Sequence, residues 1–183
     1  MEYPVTYEVD SEGVITRTND AWDHFAIEND SPHLVAAKVI GTKLATYISS
    51  FELRHMFQAV YERLHIEMKS IRLPFRCDSP GIERLLEMHL TPLNNGGIQF
   101  SISALSLSPR DPIDLLNFNL QHSHGFISMC SWCKRIRIDA TRWSELSSGI
   151  RELGLFEVEN LPRITHGICK TCGEKFLRET EQM

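Results

Sequence analysis

Four of the five cysteines stand in two Cys-x-x-Cys pairs, Cys130/Cys133 in "MCSWCKRIRI" and Cys169/Cys172 in "THGICKTCGEKF". Each pair can grip one ion from a tight turn. Two such turns brought together place four thiolates at the corners of a tetrahedron, the closed geometry of structural zinc. Gly173, directly after the second pair, is expected to let that turn fold back and aim backbone amides at sulfur. His166, three positions before Cys169, is a further candidate ligand that either replaces one cysteine or hydrogen-bonds to a sulfur. Four thiolates already complete the shell, so the expected ligands are Cys130, Cys133, Cys169 and Cys172. An iron–sulfur cluster draws on the same four groups, and oxidation of the thiolates to disulfides with loss of the ion would make a redox switch. The inner cysteines stand farther apart than in the common fingers, so no named finger class follows.

The elements that must position these sulfurs are short. "TRWSELSSGIRELGLF" lies between the pairs and reads as a helix ended by Gly154, expected to cover the metal turns. A unit of residues 127–183 has too little core to fold alone, and an ion worth on the order of 10 kcal/mol in short zinc-binding peptides would decide its folding. Upstream, "SPRDPIDLLNFNLQHSHGF" reads as a connecting helix around Ile113–Leu120 followed by a linker, which gives a connector over residues 108–126. His122 and His124 are read as linker residues.

The net charge is −5. That acidic excess lies wholly within residues 1–109, while 110–183 is balanced and carries a local basic cluster, Lys134, Arg135, Arg137 and Arg142. Such a cluster is most simply a solvated face. Its functional alternative is a phosphate-binding patch in a zinc-dependent nucleic-acid-binding regulator, which the acidic first part argues against. No apolar run reaches the length that spans a bilayer, and "MEYPVTYEVD" has no basic, greasy leader. The expectation is therefore a cytoplasmic chain with reduced thiols and no membrane partner. No Gly-rich phosphate loop, His-Glu-x-x-His pattern, Ser-His-Asp set or specific carboxylate pair is present, so an enzyme is not expected.

Residues 1–107 read as α+β. "VTYEVD" and "VITRT" flank a turn at Gly13, giving a hairpin, and Asn19 or Asp20 is expected to cap a helix carrying Trp22, Phe25 and Ala26. Ser49-x-x-Glu52 has the capping-box pattern, and Leu53, Met56, Phe57, Val60, Tyr61 and Leu64 then fall on one stripe of a long helix. Ile71, Leu73, Phe75 and Cys77 alternate with Arg72, Pro74 and Arg76. Leu86, Met88 and Leu90 fall on one face of a second strand, and Ile98, Phe100, Ile102 and Ala104 on one face of a third after the "NNGG" turn. The sum is a five-stranded antiparallel sheet with helices on its apolar face. Cys77 continues the apolar face of its strand and is expected buried and inert. His55 and His65 are expected to face solvent or be half-buried.

The order strand, strand, helices, long helix and three strands, with "YEVDSEGVITRTNDAW" and "VIGTKLATYIS", resembles a PAS domain. "PFRCDSPGIERLLEMHLTPL" is similar to a variant in small bacterial PAS-like proteins, and "CSWCKRIR" with "THGICKTC" resembles a cysteine-rich tail of bacterial signalling proteins. The resemblance implies a sensory or interaction module that holds a small ligand between sheet and helices, or that binds none and dimerises. Phe57, Phe75, Cys77, Met88 and Phe100 would line that pocket. The flavin-binding signature is absent. The implied function is a signalling adaptor with a structural Zn2+, an unidentified small ligand, a protein partner and a homodimeric state.

Overall fold

The computed structural model describes residues 4–156 and 158–181. A hairpin opens the chain, β1 (Val5–Val9) against β2 (Ile15–Thr18), with Gly13 at φ +76° in the turn. Helix α1 (Asp20–Glu28) follows. Asn19 holds the N-cap position, but its side chain makes no cap bond. It accepts instead from the Thr6 amide at 3.0 Å and donates to the Pro4 carbonyl at 2.9 Å, tying the helix start to β1. After the short α2 (Ala36–Val39), the long α3 (Phe51–Glu67) crosses the sheet.

The cap of α3 is Ser50, one residue after the expected Ser49. The Ser50 hydroxyl accepts from the Leu53 amide at 3.1 Å and donates to Glu52 at 2.9 Å. Burial decides between the two serines. Ser50 is 2 % exposed, and a buried hydroxyl has to find partners. The anticipated stripe is present: Phe57, Val60 and Leu64 are buried, with Leu53, Met56 and Tyr61 packed beside them.

Strands β3 (Ile71–Arg76), β4 (Ile82–Pro92) and β5 (Ile98–Pro109) complete a sheet of order β2-β1-β5-β4-β3, antiparallel throughout. The tight turn at 94–97 is as expected, but Gly97 is needed for a different reason than turn geometry. A Cβ there would lie 2.5 Å from the Val9 carbonyl oxygen, so glycine lets β5 close onto β1. Leu73, Leu90, Phe100, Val60 and Leu64 are fully buried between sheet and helix.

A second sheet of order β8-β7-β6-β9 holds the C-terminal part: β6 (His122–Cys130), β7 (Ile136–Arg137), β8 (Trp143–Ser144) and β9 (Leu161–Gly167). β6 and β9 are parallel and put Cys130 opposite Gly167. The crossover between them contains α4 (Leu146–Glu152), shorter than the helix expected from Thr141, because Trp143 and Ser144 pair as a strand. Gly154 ends it at φ +64°, with Leu155 donating back to Ile150 at 2.9 Å, as anticipated. α4 does not cover the metal turns. Its buried residues Leu146, Gly149 and Ile150 sit on Ile127, Met129 and Ile136 in a separate small core, and a side chain at Gly149 would overlap Ile136.

The connecting helix over 113–120 is reduced to a 3-10 turn, Asp114–Leu116, whose Leu115 and Leu116 join that same small core. β5 runs to Pro109, past residue 107, and β6 starts at His122, within 108–126. The chain closes with α5 (Lys170–Glu181). Among the described residues, no helix is long and apolar enough to cross a membrane.

The cap assignment is testable by denaturant unfolding of the full chain. Ser50→Ala should lose about 1 kcal/mol, whereas Ser49→Ala should stay within about 0.5 kcal/mol of the parent.

Candidate metal centre

Cys130 is the last residue of β6, and the chain folds back on itself immediately after it. The Cys130 amide donates to the Arg135 carbonyl at 2.8 Å and the Lys134 amide to the Cys130 carbonyl at 3.0 Å. Lys134 adopts φ +63°, the left-handed conformation that tightens such a turn. Ser131 donates to Gly167 at 2.8 Å, which prolongs the β6–β9 pairing up to the second cysteine pair.

That second pair straddles the start of α5. Cys169 precedes the helix, Cys172 lies in its first turn, and Gly173 donates to the Cys169 carbonyl at 3.0 Å. Gly173 is therefore a helical residue and not the pivot expected of it, and a Cβ there would meet only ordinary contacts. Phe176 is four residues after Cys172 and so shares its face.

The four sulfurs lie within 4.8 Å of one another. Cys133 and Cys169 are 3.8 Å apart, Sγ to Sγ. A tetrahedral ion with metal–sulfur bonds of about 2.3 Å needs sulfurs about 3.8 Å apart, so the array has the dimensions for one ion. A multi-iron cluster needs wider spacing. Cys130 and Cys169 are buried, while Cys133 and Cys172 are half-buried. The Cys169 amide donates to the Cys130 sulfur at 3.4 Å, the kind of backbone contact that stabilises a bound thiolate. Residues of this type at this spacing could hold a metal ion.

The electrostatics agree. Hydrogen bonds from Cys133 and Cys172 hold the Cys130 thiol well below the ordinary range. The same sharing pushes Cys133 up to about 12 and Cys172 higher still. Like charges this close oppose one another, so the array on its own does not favour four thiolates. A dication removes the opposition and makes four thiolates compatible. Arg135 stands nearby. Its hydrogen bond to Glu145, at 2.7 Å, is the main influence holding its proton, with Cys133 and Cys169 adding to it.

His166 lies on β9 opposite Met129, exposed and outside the sulfur group. The expected pocket residues divide. Phe57, Met88 and Phe100 are buried members of the main core, and Phe75 packs against it. Cys77 is elsewhere. β3 ends at Arg76, so the alternation does not carry Cys77 into the core. It lines a surface cavity of 750 Å³ with Phe25, Arg84, Leu116 and Phe118. His55 and His65 are exposed, the latter bonded to the Gly96 carbonyl at 2.8 Å.

The basic cluster is locally engaged. Arg135 pairs with Glu145 and Arg142 with Asp139 and Glu152, while Arg137 donates to the Asp139 and Ala140 carbonyls and Lys134 to that of Ser131.

Three residues at this site escaped the sequence reading: Trp132, Phe176 and Arg76. Trp132, inside the first pair, packs on Phe176, Phe75 and Phe57 with ring centroids at 5.3, 5.8 and 6.4 Å. Its carbonyl accepts from the Arg76 amide at 2.8 Å. The Arg76 guanidinium pairs with the fully buried Asp78 carboxylate, with Glu83 at 2.7 Å, and across the molecule with Glu145 at 3.6 Å. The available signals were an aromatic residue between two paired cysteines and another one helical turn after the last. A scan against protein-family models and a search of curated proteins each find no match.

Substitution separates the candidate ligands. Cys169→Ser should weaken metal binding by at least about a hundredfold in a competition titration with a chromophoric chelator. His166→Ala should leave it within about tenfold, the range of an outer contact.

Proposed function

We propose that the chain is a non-enzymatic adaptor of bacterial signalling. It would consist of a PAS-like sensory unit over residues 1–107, a connector over 108–126 and a zinc-binding unit over 127–183 used for protein interaction. The observation that carries this proposal is the group of four sulfurs within 4.8 Å of one another, set in the core of the first sheet. Four protein donors leave no open coordination position, and a closed site is a structural one. Zinc is the favoured ion because it is indifferent to d-electron geometry and takes four thiolates tetrahedrally.

The sensory part is supported by the element order: strand, strand, short helices, long helix, then three strands closing one antiparallel sheet with α3 on its apolar face. A small ligand, a protein partner, a homodimeric state and a cytoplasmic location remain parts of the proposal that follow from the resemblance. The nucleic-acid alternative draws no support from Arg135, Arg137 and Arg142, each of which already has an acidic or carbonyl partner within the chain.

Full-length, tag-free protein should carry one zinc per chain by elemental analysis, with neither iron nor labile sulfide. Proteins crosslinked to it in its native host should be lost with Cys130→Ser/Cys133→Ser and retained with Arg137→Ala. Retention of the whole set by the metal-free double variant would remove the adaptor function. Salt-sensitive duplex binding lost on Arg137→Ala would replace it with nucleic-acid binding.

A further inference from the structure

The metal centre and the first sheet share one hydrophobic core. The cluster that contains Phe57, Leu64, Leu73 and Phe100 also contains Cys130, Trp132, Cys169 and Phe176, with Cys133 and Cys172 packed against it. Two of the four sulfurs are thus core atoms, and each cysteine pair delivers one aromatic ring. Trp132 comes from within the first pair and Phe176 from one turn beyond the second. The two rings meet edge to face, with centroids 5.3 Å apart and planes at 84°. Together they cover Phe57 and Phe75 at the β3 side of the sheet–helix sandwich, where Trp132 also satisfies the Arg76 amide.

Both rings ride on the two segments that carry the cysteines. The turn from Cys130 to Arg135, the knuckle, carries Trp132 and has Lys134 in a left-handed conformation, while α5 carries Phe176 and packs on α3. An ion clamping all four sulfurs fixes both carriers at once.

We infer that the metal-bound knuckle is a plug, such that metal occupancy sets the order of the α3–β3 layer through Trp132. This deepens the proposed function by naming how the zinc unit and the sensory unit communicate, and it rests on that proposal's metal site. When the ion leaves, Trp132 and Phe176 lose their anchors, the Arg76 amide loses its acceptor, and the aromatic floor of Phe57 and Phe75 opens to solvent. By linkage, whatever stabilises the closed floor tightens the ion, and whatever competes with Trp132 for the floor loosens it.

Hydrogen exchange on the full chain, with metal content measured in the same samples before and after a zinc chelator, tests the inference. Removing the ion should speed amide exchange in Phe57–Leu64 and Ile71–Arg76 at least about tenfold, and restored zinc should reverse it. Trp132→Ala keeps all four sulfurs. It should still bind the ion, but exchange in those two segments should now change less than about twofold on chelation. Trp132→Phe, which retains a smaller ring, should fall between the two and serves if Trp132→Ala does not fold. Metal loss that leaves both segments within about twofold of the holo rate overturns the plug while leaving the metal site standing. Protein that holds no metal under any loading condition overturns the site itself, and with it the plug.

Discussion

Trp132 is buried because of where two cysteines are. Its ring enters the sandwich only if Cys130 ends β6 in the right place and Cys133 turns back to meet Cys169 across 3.8 Å. The rest of the C-terminal part serves that placement. The parallel β6–β9 pair brings the two cysteine pairs level, α4 braces the crossover from the far side, and α5 returns Phe176 to the same spot. An ion held among the four sulfurs would tie both cysteine pairs into a fixed joint. Its free energy, on the order of 10 kcal/mol for comparable zinc sites, matches the whole stability of an ordinary domain.

The electrostatic side of the joint is a separate clamp. Asp78 has no exposed side-chain surface, yet Arg76 and Arg110 both reach it, Arg110 at 3.0 Å. Removing either arginine would leave a buried carboxylate short of a partner, a cost of about 3–5 kcal/mol for a broken buried pair. Arg76 turns one face to Asp78 and Glu83 and another to Glu145, so β3, β4 and the C-terminal part meet at one side chain.

Much of this was legible before any coordinates. The hairpin at Gly13, the apolar stripe of α3, the three alternating strands, Gly154 as a helix stop and the four-cysteine set all follow from local rules, and each rule acts over a few residues. What was not legible is non-local. Ser50 wins over Ser49 because of burial, which one capping pattern does not encode. Cys77 leaves the apolar face because β3 stops at Arg76, and that residue is held by Trp132, far along the chain. Gly173 looked like a turn residue and is helical, because α5 begins at the metal site itself. Trp132 and Phe176 were visible as letters, but nothing in their spacing said that they would finish another element's core.

That completion has a consequence for the order of synthesis. Residues 5–109 leave the ribosome with their sheet and long helix able to pair, but with Phe57 and Phe75 bare until Cys169 and Phe176 have been translated. Closure then requires the parallel β6–β9 pairing, a non-local step that is intrinsically slow. For that interval the nascent chain displays an uncapped aromatic surface of the sort that chaperones hold and that aggregates recruit. With an ion at the four cysteines, the yield of folded molecules would depend on how promptly the cell supplies it once Cys172 has emerged.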